Sequence, residues 1–190
     1  SDGAASDTFG QSVAISGDTV VIGANGDQDN GDASGSAYIF TRDAAGNWTQ
    51  QAKLIASDGV PSEYFGWSVD IEGDTALIGS INGHNGTTYT GAAYVFTRSG
   101  GTWAEQAILS PDDGANGDHF GVSVALSGET IVIGSHQDDD YGSASGSAYI
   151  YTGSGATWSQ QAKLTSGDIA AGDEFGWDVD IEGDTAIIGA

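Results

Sequence analysis

The chain has 190 residues, 31 of them glycine, with two prolines and no cysteine or methionine. Four basic residues, Arg42, Lys53, Arg98 and Lys163, face 27 acidic ones, for a formal net charge of −23. That balance argues against nucleic acid and anionic membranes as partners, because both are held through Lys and Arg, and the missing cysteine excludes disulfides and thiolate metal sites. Cations, basic proteins and neutral sugars are compatible with it. Such a surface repels itself, so salt or divalent cations are expected to support the native state. No apolar run reaches membrane-spanning length.

In chain order, Phe9-Gly10 precedes an alternating stretch that predicts a strand over Ser12–Ile15. Ser16-Gly17-Asp18 reads as a tight hairpin turn, with glycine at positive φ. A second strand is predicted over Thr19–Gly23, a third over Ala37–Thr41, a turn at Ala45-Gly46-Asn47 and a fourth strand over Thr49–Leu54. The set then recurs from Phe65-Gly66, Phe120-Gly121 and Phe175-Gly176, at spacings of 56, 55 and 55 residues. No stretch shows helical periodicity. The predicted fold is therefore all-β: β-propeller blades of four antiparallel strands, about 3.5 repeats of ~55 residues. The units span 1–64 (with the preceding loop), 65–119, 120–174 and, as a half blade, 175–190. A partial propeller leaves open edges. The chain is expected to be a fragment of a longer propeller, to complete a ring by self-association, or to stack without closing. A second period is visible: units one and three share QSVAIS/VSVALS and GSAYI, and units two and four share GW-x-VDIEGDTA. It points to duplication of a two-blade module.

The residues FG…SVAISGDTVVIGA…GSAYIFTR, with the WTQQAKL strand, resemble the FG-GAP repeat in its short prokaryotic version. That repeat is the blade unit of integrin α-subunit propellers and of many bacterial and archaeal surface proteins. The resemblance covers essentially the whole chain. It implies a secreted or cell-surface protein active in adhesion, ligand binding or assembly. Two departures limit what carries over. Where integrins place a D-x-D-x-D-G calcium loop, this chain has only Ser-Gly-Asp, Glu-Gly-Asp or Ser-Gly-Glu turns. The proline of Gly-Ala-Pro is also missing: the landmarks read Gly23-Ala24-Asn25, Gly79-Ser80-Ile81 and Gly134-Ser135-His136.

In an up-and-down meander the strand 2–3 loops and the strand 4–1 loops emerge on one face, and they hold 16 of the 27 acidic residues. The 2–3 loops NGDQDNGDASG and HQDDDYGSASG place Asp27/Asp29 and Asp138/Asp140 at equivalent positions. Carboxylates at i and i+2 before a glycine suit Ca²⁺, and these four residues are the candidate metal ligands. The alternative is a solvated acidic loop with Asx-type turns. Unit two has Gly83 and Asn85 there and is expected to bind weakly or not at all. The 4–1 loops repeat an acid seven residues before each Phe (Asp2, Asp58, Asp113, Asp168) and two before it (Asp7, Glu63, Asp118, Asp173). These are expected to accept backbone N–H bonds. Asp18, Asp74, Glu129 and Asp184 read as turn residues on the opposite face.

Phe9, Phe65, Phe120 and Phe175 read as wedges between blades, and the glycine after each as a point of close backbone approach. Trp48, Trp103 and Trp158 recur in every complete unit and read as core. Trp67 and Trp177 occur in alternate units only and are the candidate ligand-binding residues, suited to stacking on a sugar. His84, His119 and His136 share no repeat position or ligand spacing, and no catalytic motif is present. The expected function is non-enzymatic: an adhesion, ligand-binding or assembly module, with Ca²⁺ as a candidate stabiliser. The alternatives are a carbohydrate-binding lectin and a purely structural self-assembling array. Expected partners are a protein or glycan, or further copies meeting at open blade edges, with no nucleic acid and no membrane insertion.

Overall fold

A computed structural model describes residues 3–84 and 86–190; Asp2 and Asn85 lie outside the described residues. The first unit contains β1 (Val13–Ser16), β2 (Thr19–Ala24), β3 (Ser36–Arg42) and β4 (Trp48–Leu54). The second contains β5 (Phe65–Glu72), β6 (Thr75–Ser80), β7 (Ala92–Ser99) and β8 (Thr102–Leu109). The third contains β9 (Val124–Ser127), β10 (Thr130–Ser135), β11 (Ser147–Ser154) and β12 (Thr157–Leu164), and the fourth contributes β13 (Val179–Glu182) and β14 (Thr185–Ile188). Each complete unit is one antiparallel meander in sequence order, and β13 pairs with β14 alone. The fold is thus all-β, three blades and a half, as the repeat predicts. Among the described residues, no helix is long and apolar enough to cross a membrane.

The hairpin turns form where sequence places them. β1 and β2 close through the pair Ser16↔Thr19, leaving the two-residue loop Gly17-Asp18, with Gly17 at φ 58°. At the Asp43–Asn47 turn, the Asp43 carboxylate accepts the amides of Ala45 and Asn47, each at 2.9 Å. That ring of bonds lets a short loop reverse the chain without leaving its amides bare.

The core lies between blades rather than inside them, because a single sheet has no second layer of its own. Val21, Ala37 and Ile39 of the first blade join Phe65, Val69, Ile78, Tyr94 and Trp103 of the second in one buried cluster. Leu77, Ala93 and Val95 of the second blade join Phe120, Val124, Ile133 and Tyr149 of the third in another. Phe65 and Phe120 are buried wedges between blades, as expected, and Phe175 is partly buried in the seam between units three and four. Phe65 meets Tyr94 and Phe96 of its own blade edge-to-face at 5.1 and 6.1 Å, while its other side packs on the blade before. Trp103 is buried and donates from Nε1 to Gln51 Oε1 of the preceding blade at 2.8 Å. Phe9 and Trp48 differ from the interior copies: both are exposed, because no blade covers their side here.

The two landmarks of the repeat meet each other across blades. A Cβ on Gly23 would lie 2.0 Å from the carbonyl oxygen of Gly66, and Gly79 faces Gly121 in the same way at 2.1 Å. Gly35 (φ +85°) forms a parallel bridge to Phe65, where an added Cβ would sit 2.0 Å from the Phe65 oxygen. Only glycine permits backbones that close.

Candidate functional site

The 2–3 loops pack on the 4–1 loops that lead into the following unit, which creates the acidic face expected from the meander. The Ser62 amide donates to the Asp32 carbonyl at 2.8 Å, and the Tyr64 amide to the Ala33 carbonyl at 3.0 Å. On the 4–1 side, the acid two before each Phe behaves as predicted. Glu63 accepts the Val60 amide at 2.9 Å, and Asp118 and Asp173 accept the amides of Ala115 and Ala170 at 2.7 Å each. Asp7 accepts the Ala4 amide in the equivalent bond. The acid seven before Phe plays a different part. Asp58 accepts the hydroxyl of Tyr94 at 3.0 Å, and Asp113, also at 3.0 Å, shares the one hydroxyl proton of Tyr149 with Asp138, each tying the loop to the third strand of the next blade. Asp168 accepts the Ser166 hydroxyl at 3.0 Å.

The four aspartates singled out for metal are brought together in pairs, and each pair holds an ammonium group. Lys53 Nζ lies 2.9 Å from Asp27 and 2.6 Å from Asp29. Lys163 Nζ lies 2.7 Å from Asp138, 2.6 Å from Asp140 and 2.8 Å from Asp113. The surroundings match as well. Asp27 accepts the Ser36 and Tyr38 hydroxyls at 2.9 and 2.8 Å; Asp138 accepts those of Ser147 and Tyr149 at 2.8 and 2.9 Å. Each lysine also lies over the ring of that tyrosine, at 5.2 and 5.3 Å. A divalent ion at either pair would have to displace a lysine that already supplies the positive charge. Among the described residues, no group of three or more acidic or histidine side chains is arranged to hold a metal ion.

The electrostatics follow from this geometry. Burial pushes the Asp27 and Asp138 carboxyls up, but the lysine, tyrosine and serine donors outweigh it and hold both below the ordinary carboxylate value. Burial pushes Lys163 down, yet its three carboxylate neighbours carry it well above the usual lysine value. Buried charges persist when paired and hydrogen-bonded like this.

Unit two solves the same problem with other residues. Gly83 stands where Asp27 and Asp138 stand, Ala92 replaces Ser36 and Ser147, and Ile108 replaces the lysines. The fully buried Glu63 is met there by the Nδ1 of His84. The lysines were the functional residues that a loop-by-loop reading missed. The signal was present: Asp, Ser and Lys change together to Gly, Ala and Ile from one repeat to the next.

The remaining candidates are scattered. Trp67 is half-buried against Tyr64, with ring centroids 6.3 Å apart. Trp177 is exposed and meets the His136 ring edge-to-face at 4.5 Å. His136 is buried beside His119, and burial pushes its pKa down to about 4. Asp118 sits nearby, and burial pushes its pKa up to about 6. Tyr89 and Tyr141, on the 2–3 loops of units two and three, are exposed aromatic residues that the sequence did not single out. On the opposite face, Arg42 pairs with Asp18 and Arg98 with Asp74, both at 2.6 Å. All four cations of the chain are thus engaged in internal pairs.

The sheet order and the inter-blade glycines define a blade-repeat protein of the propeller type. The family model described as "FG-GAP repeat" matches residues 1–40, 48–96, 103–151 and 158–190, and the chain belongs to that family. FG-GAP repeats are typical of extracellular and surface proteins. No curated protein matches the chain.

Proposed function

We propose that this chain is a non-catalytic binding module of a secreted or cell-surface protein, presenting its acidic loop face to a positively charged protein partner. One observation carries the reading: the lysines of that face are spent inside it, while Asp32, Asp112, Asp139 and Asp168 are exposed on its loops, as are Tyr89 and Tyr141. Exposed tyrosines within a polar rim suit protein recognition, since they supply contact area at low entropic cost. The lysine clamps serve this role indirectly by keeping the loops in one shape, so that less ordering is lost on binding.

Calorimetry with a lysine-rich peptide tests the reading. Binding is expected to weaken with salt, to fall roughly tenfold in Tyr141→Ala, and to be unchanged in Asp18→Ala on the opposite face. Binding of neutral glycans but not of the peptide, lost in Trp177→Ala, would establish the lectin reading instead; the exposure of Trp177 favours it as the second choice. Ca²⁺ remains the alternative occupant of the aspartate pairs. The lysine geometry supports the ammonium, so millimolar Ca²⁺ is expected to raise the melting temperature no more than the same concentration of Mg²⁺ does by screening the acidic surface. A larger rise with Ca²⁺ than with Mg²⁺ would restore calcium, because a specific ligand of the native state must stabilise it beyond screening.

A further inference from the structure

The 3–4 hairpin of unit one carries a chemistry that its counterparts lack. Asn47-Trp48-Thr49 reads Asn-X-Thr with X not proline, the triplet at which transferases attach glycans to asparagine. The equivalent triplets, Thr102-Trp103-Ala104 and Thr157-Trp158-Ser159, offer no side-chain amide. Strand register fixes the correspondence: Trp48 pairs with Arg42, Trp103 with Arg98 and Trp158 with Gly153. A second triplet, Asn85-Gly86-Thr87, starts outside the described residues.

The hairpin of unit one is also one residue longer. Five residues separate Arg42 from Trp48, against four between Arg98 and Trp103 and four between Gly153 and Trp158. The Asp43 carboxylate organises this longer loop, accepting the Asn47 Nδ2 at 3.0 and 3.3 Å besides the two backbone amides. Asn47 and Thr49 are both exposed. That exposure belongs to the position and not to what lies beside blade one. Thr102 and Thr157 at the place of Asn47, and Ala104 and Ser159 at the place of Thr49, are exposed too, although a preceding blade packs against units two and three. The Arg42–Asp18 pair stands beside the hairpin, on the face opposite the acidic loops.

We propose that Asn47 is a modification site, the nitrogen acceptor for a glycan delivered on a polyprenyl phosphate by a membrane-bound transferase. It requires, and so rests on, the secreted or cell-surface location proposed above, because donor and transferase meet only exported chains. Nδ2 bonds to the anomeric carbon of the first sugar. The bond from that carbon to the phosphate oxygen breaks, the phosphate leaves with the electron pair, and one Nδ2 proton passes to a base of the transferase. One N–H stays on Nδ2 as a donor for Asp43. The folded hairpin accepts the added bulk without repacking, since no side chain covers this position in any unit. The glycan projects from the face opposite the ligand loops and leaves them free.

Peptide mass spectrometry after release of glycans by an amidase, which leaves aspartate where the glycosylated asparagine stood, tests this on two preparations. One is the protein from its own cells; the other is the chain exported behind a leader peptide by a host that makes the lipid-linked donor. Aspartate is expected at position 47 in both. Thr49→Ala installs the residue that unit two has at this place, so it keeps the fold and the Asp43–Asn47 bonds, and it is expected to abolish the modification. Thr49→Ser installs the residue of unit three and is expected to retain it at lower occupancy. Modification that persists in Thr49→Ala, or is lost in Thr49→Ser, overturns the proposal. So does an unmodified Asn47 in either preparation. Absence from both places the failure in Asn47 itself, whereas modification of the exported chain alone places it in the secreted reading. Peptide binding by the loop face is expected to be the same with and without the glycan.

Discussion

The 2–3 loops of blades one and three and that of blade two occupy the same place in the same meander, yet they are held by opposite chemistry. In blades one and three, two or three aspartates close around a lysine from the fourth strand. In blade two the aspartate, serine and lysine are absent together, and a buried glutamate is met by a histidine instead. The difference shows that the repeat constrains the loop's shape more tightly than its charge. A lysine stands where the 2–3 loop carries the buried aspartate, and where glycine replaces that aspartate an isoleucine takes the lysine's place.

The largest effect that would break this comparison is removal of the cation alone. Lys163→Met leaves Asp138, whose side chain is 3% exposed, unpaired beside Asp113 and Asp140. A loss of about 3–5 kcal/mol is expected in urea unfolding, as for a broken buried pair. A loss below about 1 kcal/mol would mean that the carboxylates do not need the ammonium.

The next effect is a pH dependence carried by His136 and Asp118. Burial lowers His136 to about 4, from an ordinary value of 6.5, so its contribution is complete above pH 6.5 and is lost as pH falls through 4. Burial raises Asp118 to about 6, from 3.8, so its contribution is complete below pH 3.8 and is lost as pH rises through 6. The two slopes oppose each other between about pH 4 and 6. Asp118→Asn removes one of them, and the variant is expected to lose stability on acidification from pH 6.5 to 4, by roughly 2–3 kcal/mol more than the parent. Parallel pH curves for parent and variant would remove the opposition.

A smaller change sharpens the comparison by making blade three resemble blade two. Combining Asp138→Gly, Asp140→Asn, Ser147→Ala and Lys163→Ile removes the charges along with their partner. The combination is expected to stay within about 1–2 kcal/mol of the parent, far less than Lys163→Met alone, because contacting residues couple. The smallest effect belongs to the opposite face. Arg42→Ala breaks an ion pair exposed on both sides, and at most about 1 kcal/mol is expected in the same unfolding assay.

Much of this was legible in the residues themselves. The Phe-Gly spacing and the alternating strands foretold three four-stranded sheets and a half, and the glycine after each Phe foretold a close approach. The acidic face followed from meander geometry and loop composition. The identity of what the aspartates hold was not read from the loops, because Lys53 lies 26 residues beyond Asp27 and reaches it only through strand pairing. Likewise the wedge position predicted burial for every Phe, but Phe9 is exposed because burial there belongs to the neighbouring blade and not to the residue.

Sequence by itself determined the period, the strands and the glycines at the inter-blade contacts, since these depend on local alternation and on backbone conformations that only glycine adopts. Tertiary structure alone decided which charges are neutralised and which surfaces a neighbouring blade covers. Both depend on side chains meeting from separate strands or separate blades. Tyr38 and Lys53 face each other as a cross-strand pair beside Asp27, and Val13 and Val69 differ only in whether a blade lies against them.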